Sequence, residues 1–270
     1  MQRWMTLPLA LSASAVSLGQ VACVGTTGSD LFTFEAAAAG PEGADPSRPS
    51  AFTTSDGYRV TLTEARLHIG ALYLNHLRST AGAQATACVL PGTYIAEVTR
   101  GLDVDLLSGA LQPFPARGEA LTDLASTAEV WLTDGDVNAG DSDTPILTVA
   151  GEADKDAMTY PFEGTVTIGR NRAIPVSDPA QPGASPLCKQ RIVSPIFVNL
   201  TPRAGGRLVV HIDPREFFTS VDFAALGEPS GTPPRYRFED ASVRAPDRAL
   251  YEGLHNTISA YTFSWEDSPQ

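Results

Sequence analysis

Asp134, Asp136, Asn138, Asp141 and Asp143 place five oxygen-bearing side chains within the ten-residue segment DGDVNAGDSD. Calcium takes about six to eight oxygen ligands in a flexible geometry, and acidic residues at short intervals along a loop can converge on one ion. The segment is therefore the candidate cation site, with calcium as the ion. It departs from the EF-hand loop, because Ala139 stands where that loop needs its glycine and Pro145 where it needs its bidentate glutamate. Asp, Asn and Gly are also the commonest turn formers, so a solvated connection is the competing reading. Its length exceeds that of most hairpin loops, which favours a role.

The four histidines are His68, His76, His211 and His255. His68 and His76 share a strand face by parity, but eight residues at ~3.3 Å each set them ~26 Å apart on a straight strand, too far for one metal. His211 and Asp213 lie two apart and could join a copper or zinc site if a third ligand came from elsewhere. A surface hydrogen bond is the simpler reading of that pair. Copper at histidines therefore ranks below calcium at the acidic loop. The sequence contains no GxSxG, HExxH, P-loop or GxGxxG pattern. The expectation is a protein that is not an enzyme and needs no cofactor, with a hydrolase lacking a recognisable motif as the enzymatic alternative. Asp103 and Asp105 point outward between Leu102, Val104 and Leu106, as a solvated strand face would place them. Trp131, Tyr236, Tyr251, Tyr261 and Trp265 are candidates for stacking on a sugar, although aromatic residues in strands usually serve packing.

The elements that must position these residues are strands. From Tyr58 onward apolar residues recur at every second position, in runs such as Tyr58 to Leu62, Leu67 to Tyr73, Tyr94 to Thr99, Leu102 to Leu107 and Ala128 to Thr133. Further runs cover Ile146 to Ala150, Tyr160 to Ile168, Ile196 to Leu200, Arg207 to Ile212 and Tyr261 to Trp265. About ten strands separated by Gly, Pro, Asp and Asn predict a mainly β protein, an antiparallel β-sandwich with one or two short helices. Gly205-Gly206 between two alternating runs predicts a hairpin joining Ile196–Leu200 to Arg207–Ile212. Asp213, Pro214 and Glu216 are ordered as an N-cap, a first-turn proline and an N3 acid, opening a short helix. A second helix is expected over Asp247 to Ser259, with Leu250, Leu254 and Ile258 on one face.

The first 23 residues hold Arg3, an apolar stretch from Trp4 to Leu18, and Gln20-Val21-Ala22-Cys23. This leader resembles the signal peptide and lipobox of bacterial lipoproteins, with Gln20 where leucine is usual. The resemblance implies an exported protein, an acyl anchor on Cys23 and a place in the cell envelope; Val24 after the cysteine points to the outer membrane. It implies no activity. If lipid occupies Cys23, Cys88 and Cys188 remain as a pair, and a Cys88–Cys188 disulfide is expected in an oxidising compartment. Residues 1–22 then form the signal peptide, and 23–50 a lipidated N-terminus and flexible tether in which the alternation of Phe32 and Phe34 makes 29–35 a candidate strand. Residues 51–270 form one sandwich domain. A Phe-rich start followed by LTEARLHIGALYL also resembles, over residues 32 to 74 and in layout alone, the periplasmic copper-binding proteins of methanobactin systems; no ligand residue is carried over.

The formal net charge is −12 at pH 7. Nucleic-acid binding depends on Lys and Arg neutralising phosphates, so this balance argues against it. The expected partners are the membrane through the anchor and a protein or glycan of unspecified identity.

Overall fold

The computed structural model describes residues 30–76, 93–137, 139–169, 187–240 and 244–267. The protein is mainly β, as the alternation predicts. Its strands form two mixed sheets, one of nine strands and one of six. The nine-stranded sheet runs in the order β12 (Ile192–Leu200), β9 (Ala125–Trp131), β4 (Ala71–Asn75), β5 (Tyr94–Val98), β8 (Gly118–Leu121), β1 (Leu31–Ala39), β13 (Gly206–Ile212) and β15 (Tyr261–Asp267). The short β7 (Gln112–Pro113) pairs with β1, and the sheet curls towards a closed barrel. The six-stranded sheet runs β14 (Tyr236–Phe238), β11 (Met158–Ile168), β10 (Ser142–Lys155), β3 (Arg59–Ile69) and β2 (Ser50–Thr53), with β6 (Leu102–Asp105) also on β3.

Two pairings are parallel, β1 with β13 and β11 with β14, so the sheets are not purely antiparallel as expected. The first of these also corrects the tether. Ala36 to Ala39 continue β1 and are buried, with Glu35 opposite Arg207 and Ala39 opposite His211. A strand with neighbours on both edges and cover on both faces has no alternation to show, and four alanines are small enough to be covered twice.

The hairpin expected at Gly205-Gly206 does not form. β12 pairs with β9, whereas β13 lies between β1 and β15 at the other end of the sheet. Gly205 does turn the chain, with φ 78°. Gly206 serves packing instead, since a Cβ there would overlap the Trp265 indole. The helix after Asp213 is a 3-10 helix over Pro214–Phe218, capped by Asp213 Oδ1 accepting from the Arg215 amide at 3.0 Å. The last helix, α2 (Ala245–Leu254), buries Leu250 and Leu254 but ends before Ile258, which is 90% exposed.

Gly70 decides where the candidate residues meet. Leu67 to Tyr73 reads as one strand, but the chain passes at Gly70 from β3 in one sheet to β4 in the other. The Gly70 amide donates to the Trp131 carbonyl at 2.8 Å, and a Cβ at Gly70 would overlap the Thr133 carbonyl. That close crossing sets His68 beside the start of the acidic loop.

Candidate functional site

The acidic loop leaves β9 after Trp131 and enters β10 at Ser142. Asp134, Asp136, Asp141 and Asp143 are exposed, and Asn138 lies outside the described residues. Asp134 turns towards His68, with Oδ2 at 3.2 Å from Nε2, and Asp103 Oδ1 sits 2.7 Å from the other ring nitrogen. A side chain at position 101 would fill the space this pair occupies, so Gly101 leaves room for it. Asp103 is therefore not simply a solvated strand acid.

The inner side of the loop is organised by a cation belonging to the chain. Arg191 is 3% exposed and donates to Thr133 Oγ1 at 3.2 Å, to the Ala139 carbonyl at 3.3 Å and to the Gly140 carbonyl. Burial lowers its guanidinium pKa below the ordinary value, and the charge of Asp136 opposes that shift. The guanidinium thus gathers loop carbonyls of the kind an ion would use. Among the described residues, no group of three or more His, Cys, Asp or Glu side chains is placed to hold a metal.

The histidines are dispersed. His76 Nδ1 is 3.2 Å from both Asp123 Oδ2 and the Leu124 carbonyl, whereas His211 Nδ1 contacts the Gly40 carbonyl at 3.0 Å. His255 lies against Tyr251 and the Gln190 carbonyl. Asp213 caps its helix and holds the Arg215 guanidinium.

The stronger constellation lies on the outer face of the nine-stranded sheet. Leu72, Leu74, Ala128 and Val130 point into the core at 0% exposure, so Tyr73, Asn75, Glu129 and Trp131 share the opposite face. Glu129 is 1% exposed there. It accepts from Asn75 Nδ2 at 3.2 Å and Ser194 Oγ at 3.4 Å on one oxygen, and from Trp131 Nε1 at 3.1 Å and Tyr94 OH at 3.3 Å on the other. A carboxylate offers about four lone-pair sites, so its acceptor capacity is filled. Desolvation raises the Glu129 pKa, with the four donors acting in the opposite direction.

Those donors fix a row of rings. The Tyr73 ring centre lies 4.9 Å from that of Tyr94 and 4.8 Å from that of Trp131, each pair tilted. Tyr94 is 38% exposed. Burial raises the Tyr94 pKa first, followed by the charge of Glu129, and burial likewise raises Tyr73, with Glu97 and then Glu129 adding to it. Cross-strand register sets Tyr73 opposite Glu129 on one side and Glu97 on the other.

Of the five aromatic candidates from the sequence, Trp131 belongs to this row. The others pack elsewhere: Tyr236 on Tyr160, Tyr251 on His255, and Trp265 on Phe32 and Phe34, with Tyr261 buried and donating to the Leu254 carbonyl. Alternation alone places Glu129 on the solvent side, so its role was missed. Trp131 two residues later on the same face was the available signal.

Cys188 is buried on α1 (Leu187–Gln190); Cys23 and Cys88, and with them the expected Cys88–Cys188 disulfide, lie outside the described residues. No helix among the described residues is long and apolar enough to cross a membrane.

No protein-family model and no curated protein sequence matches the chain. Among solved structures it is similar to MbnP from Methylosinus trichosporium, at 13% identity and a TM-score of 0.30, over 89% of this chain and 99% of that one.

Proposed function

We propose that this chain is a non-catalytic lipoprotein of the cell envelope, carried by an acyl group on Cys23 and working as a binding module. The observation that carries the reading is the row Tyr94–Tyr73–Trp131, fixed from beneath by the buried Glu129 carboxylate. Aromatic faces held by a buried hydrogen-bonded anchor suit recognition, because little side-chain freedom is lost when a ligand arrives. Glu129 is poorly suited to general-base work, since each lone pair already receives a donor and proton abstraction would require releasing one. That saturation supports a binding role for this cluster rather than turnover. The inner side of the acidic loop is held by Arg191, which donates to two of its carbonyls.

A Cys88–Cys188 disulfide belongs to the same proposal, supported by the cysteine count: three in the chain, of which the lipid would take Cys23. Mass spectrometry of the mature N-terminus tests the anchor: an acylated Cys23 is expected, and an unmodified start elsewhere overturns it. The site is tested through the Trp131 indole N–H resonance of 15N-labelled protein, titrated with organic cations and neutral saccharides. A saturable shift from one of them is the expected result. If neither class moves the resonance, the row is core packing and the binding reading fails.

A further inference from the structure

We infer that the aromatic row binds a small organic ammonium ion, its rings supplying the cation–π faces and the neighbouring carboxylates the counter-charge. This rests on the binding-module reading of the same face and adds the ligand class.

Charge is the first argument. Glu97 stands directly opposite Glu119 in the antiparallel pairing of β5 with β8. Both are exposed, and neither side-chain carboxylate has a hydrogen-bond or ion-pair partner among the described residues. Like charges directly opposite across a pair of strands repel, and the nearest element of the sheet on the β4 side offers Tyr73 rather than a lysine or arginine. Negative potential therefore accumulates beside the rings.

Ring chemistry is the second argument. Aromatic faces carry the negative end of a quadrupole and attract alkylated ammonium groups, which are weakly hydrated. The ring faces offer a metal ion no lone pairs and Glu129 has already committed its own, so Glu97 and Glu119 would supply at most about four oxygens where calcium takes about six to eight. Asn75, fully buried within the cluster, has an Oδ1 that receives no donor among the described residues, so the local excess there is again of acceptors. Anionic ligands are disfavoured by the same charges. Neutral sugars would gain ring contact but nothing from the Glu97–Glu119 pair.

Choline is the probe, and 3,3-dimethyl-1-butanol is its uncharged counterpart of the same shape. Choline is expected to shift the Trp131 indole resonance saturably, with a Kd on the order of millimolar, while the Trp265 indole stays in place. The alcohol is expected to bind at least about threefold more weakly. Glu97→Gln, at an exposed position where folding is preserved, is expected to weaken choline by about three- to tenfold, and 0.5 M NaCl to act in the same direction. Equal saturation by the alcohol, or a response to glucose oligomers but not to choline, overturns the ammonium assignment and leaves the binding-module reading intact. Silence towards all three probes overturns both.

Discussion

The acidic loop and the Glu129 cluster adjoin on β9, the loop leaving the strand directly after Trp131, and they use carboxylates in opposite ways. In the loop, exposed aspartates surround a buried arginine, and the charge that orders the backbone is positive. In the cluster, a single buried glutamate orders four donors, three of them on neighbouring strands or the same strand. Density of acidic residues therefore misleads about where the organised site is. What matters is whether a carboxyl has left water, since an unpaired polar group there is costly and its partners become fixed.

Removing the anchor should have the largest effect. Glu129→Leu leaves the Asn75, Ser194, Tyr94 and Trp131 donors without their acceptor, and orphaned buried donors cost ~1–3 kcal/mol each. A loss of at least ~3 kcal/mol in unfolding free energy is expected by urea denaturation. Glu129→Gln isolates the charge. The carboxyl pKa is raised in the folded protein, so the folded state binds the proton more tightly than the unfolded one. Wild-type stability should consequently fall, relative to Glu129→Gln, as pH rises from the ordinary glutamate value through the raised one. Below that window the wild type is free of the burden of an ionised buried group. A wild type that gains on the variant with rising pH would show instead that the donors outweigh desolvation.

Arg191→Met asks the same question of the loop. The guanidinium bonds that tie Thr133, Ala139 and Gly140 are lost, while the aliphatic stem is kept. A loss of ~1.5–3 kcal/mol is expected for bonds to a buried charged group. Hydrogen exchange should accelerate over residues 134–141 and remain unchanged at Tyr73 and Trp131. Loss of protection in both regions would mean that the loop and the cluster form one cooperative unit.

Local periodicity made most of this fold legible, and long-range pairing hid the rest. Tyr73 and Trp131 could be placed on strands because apolar residues alternate around them, and Asp213 could be read as a cap because its signals are adjacent in sequence. The parallel partner of β1, the failed hairpin at Gly205-Gly206 and the crossing at Gly70 depend on pairings between positions 49 to 172 residues apart, and no local pattern encodes them. The acidic loop was visible because its residues are contiguous. Glu129 was invisible because its ligands come from Asn75, Tyr94 and Ser194, and because alternation predicts which face a residue occupies without saying what covers it.

The smallest expected effect concerns calcium at the loop. A ligand that binds the folded state alone stabilises it by RT ln(1 + [L]/Kd), so an ion with a micromolar Kd supplied at ~1 mM would contribute ~4 kcal/mol and a clear rise in melting temperature. The Ala139 and Gly140 carbonyls already accept from Arg191, and Asp134 faces His68, so the loop would have to exchange existing contacts for the ion. The expected shift at 1 mM calcium is therefore close to zero in both wild type and Asp136→Ala, read by differential scanning fluorimetry. A rise of several degrees in wild type that disappears in Asp136→Ala would reverse the comparison, making the exposed aspartates the organised site and Arg191 a placeholder that the ion displaces.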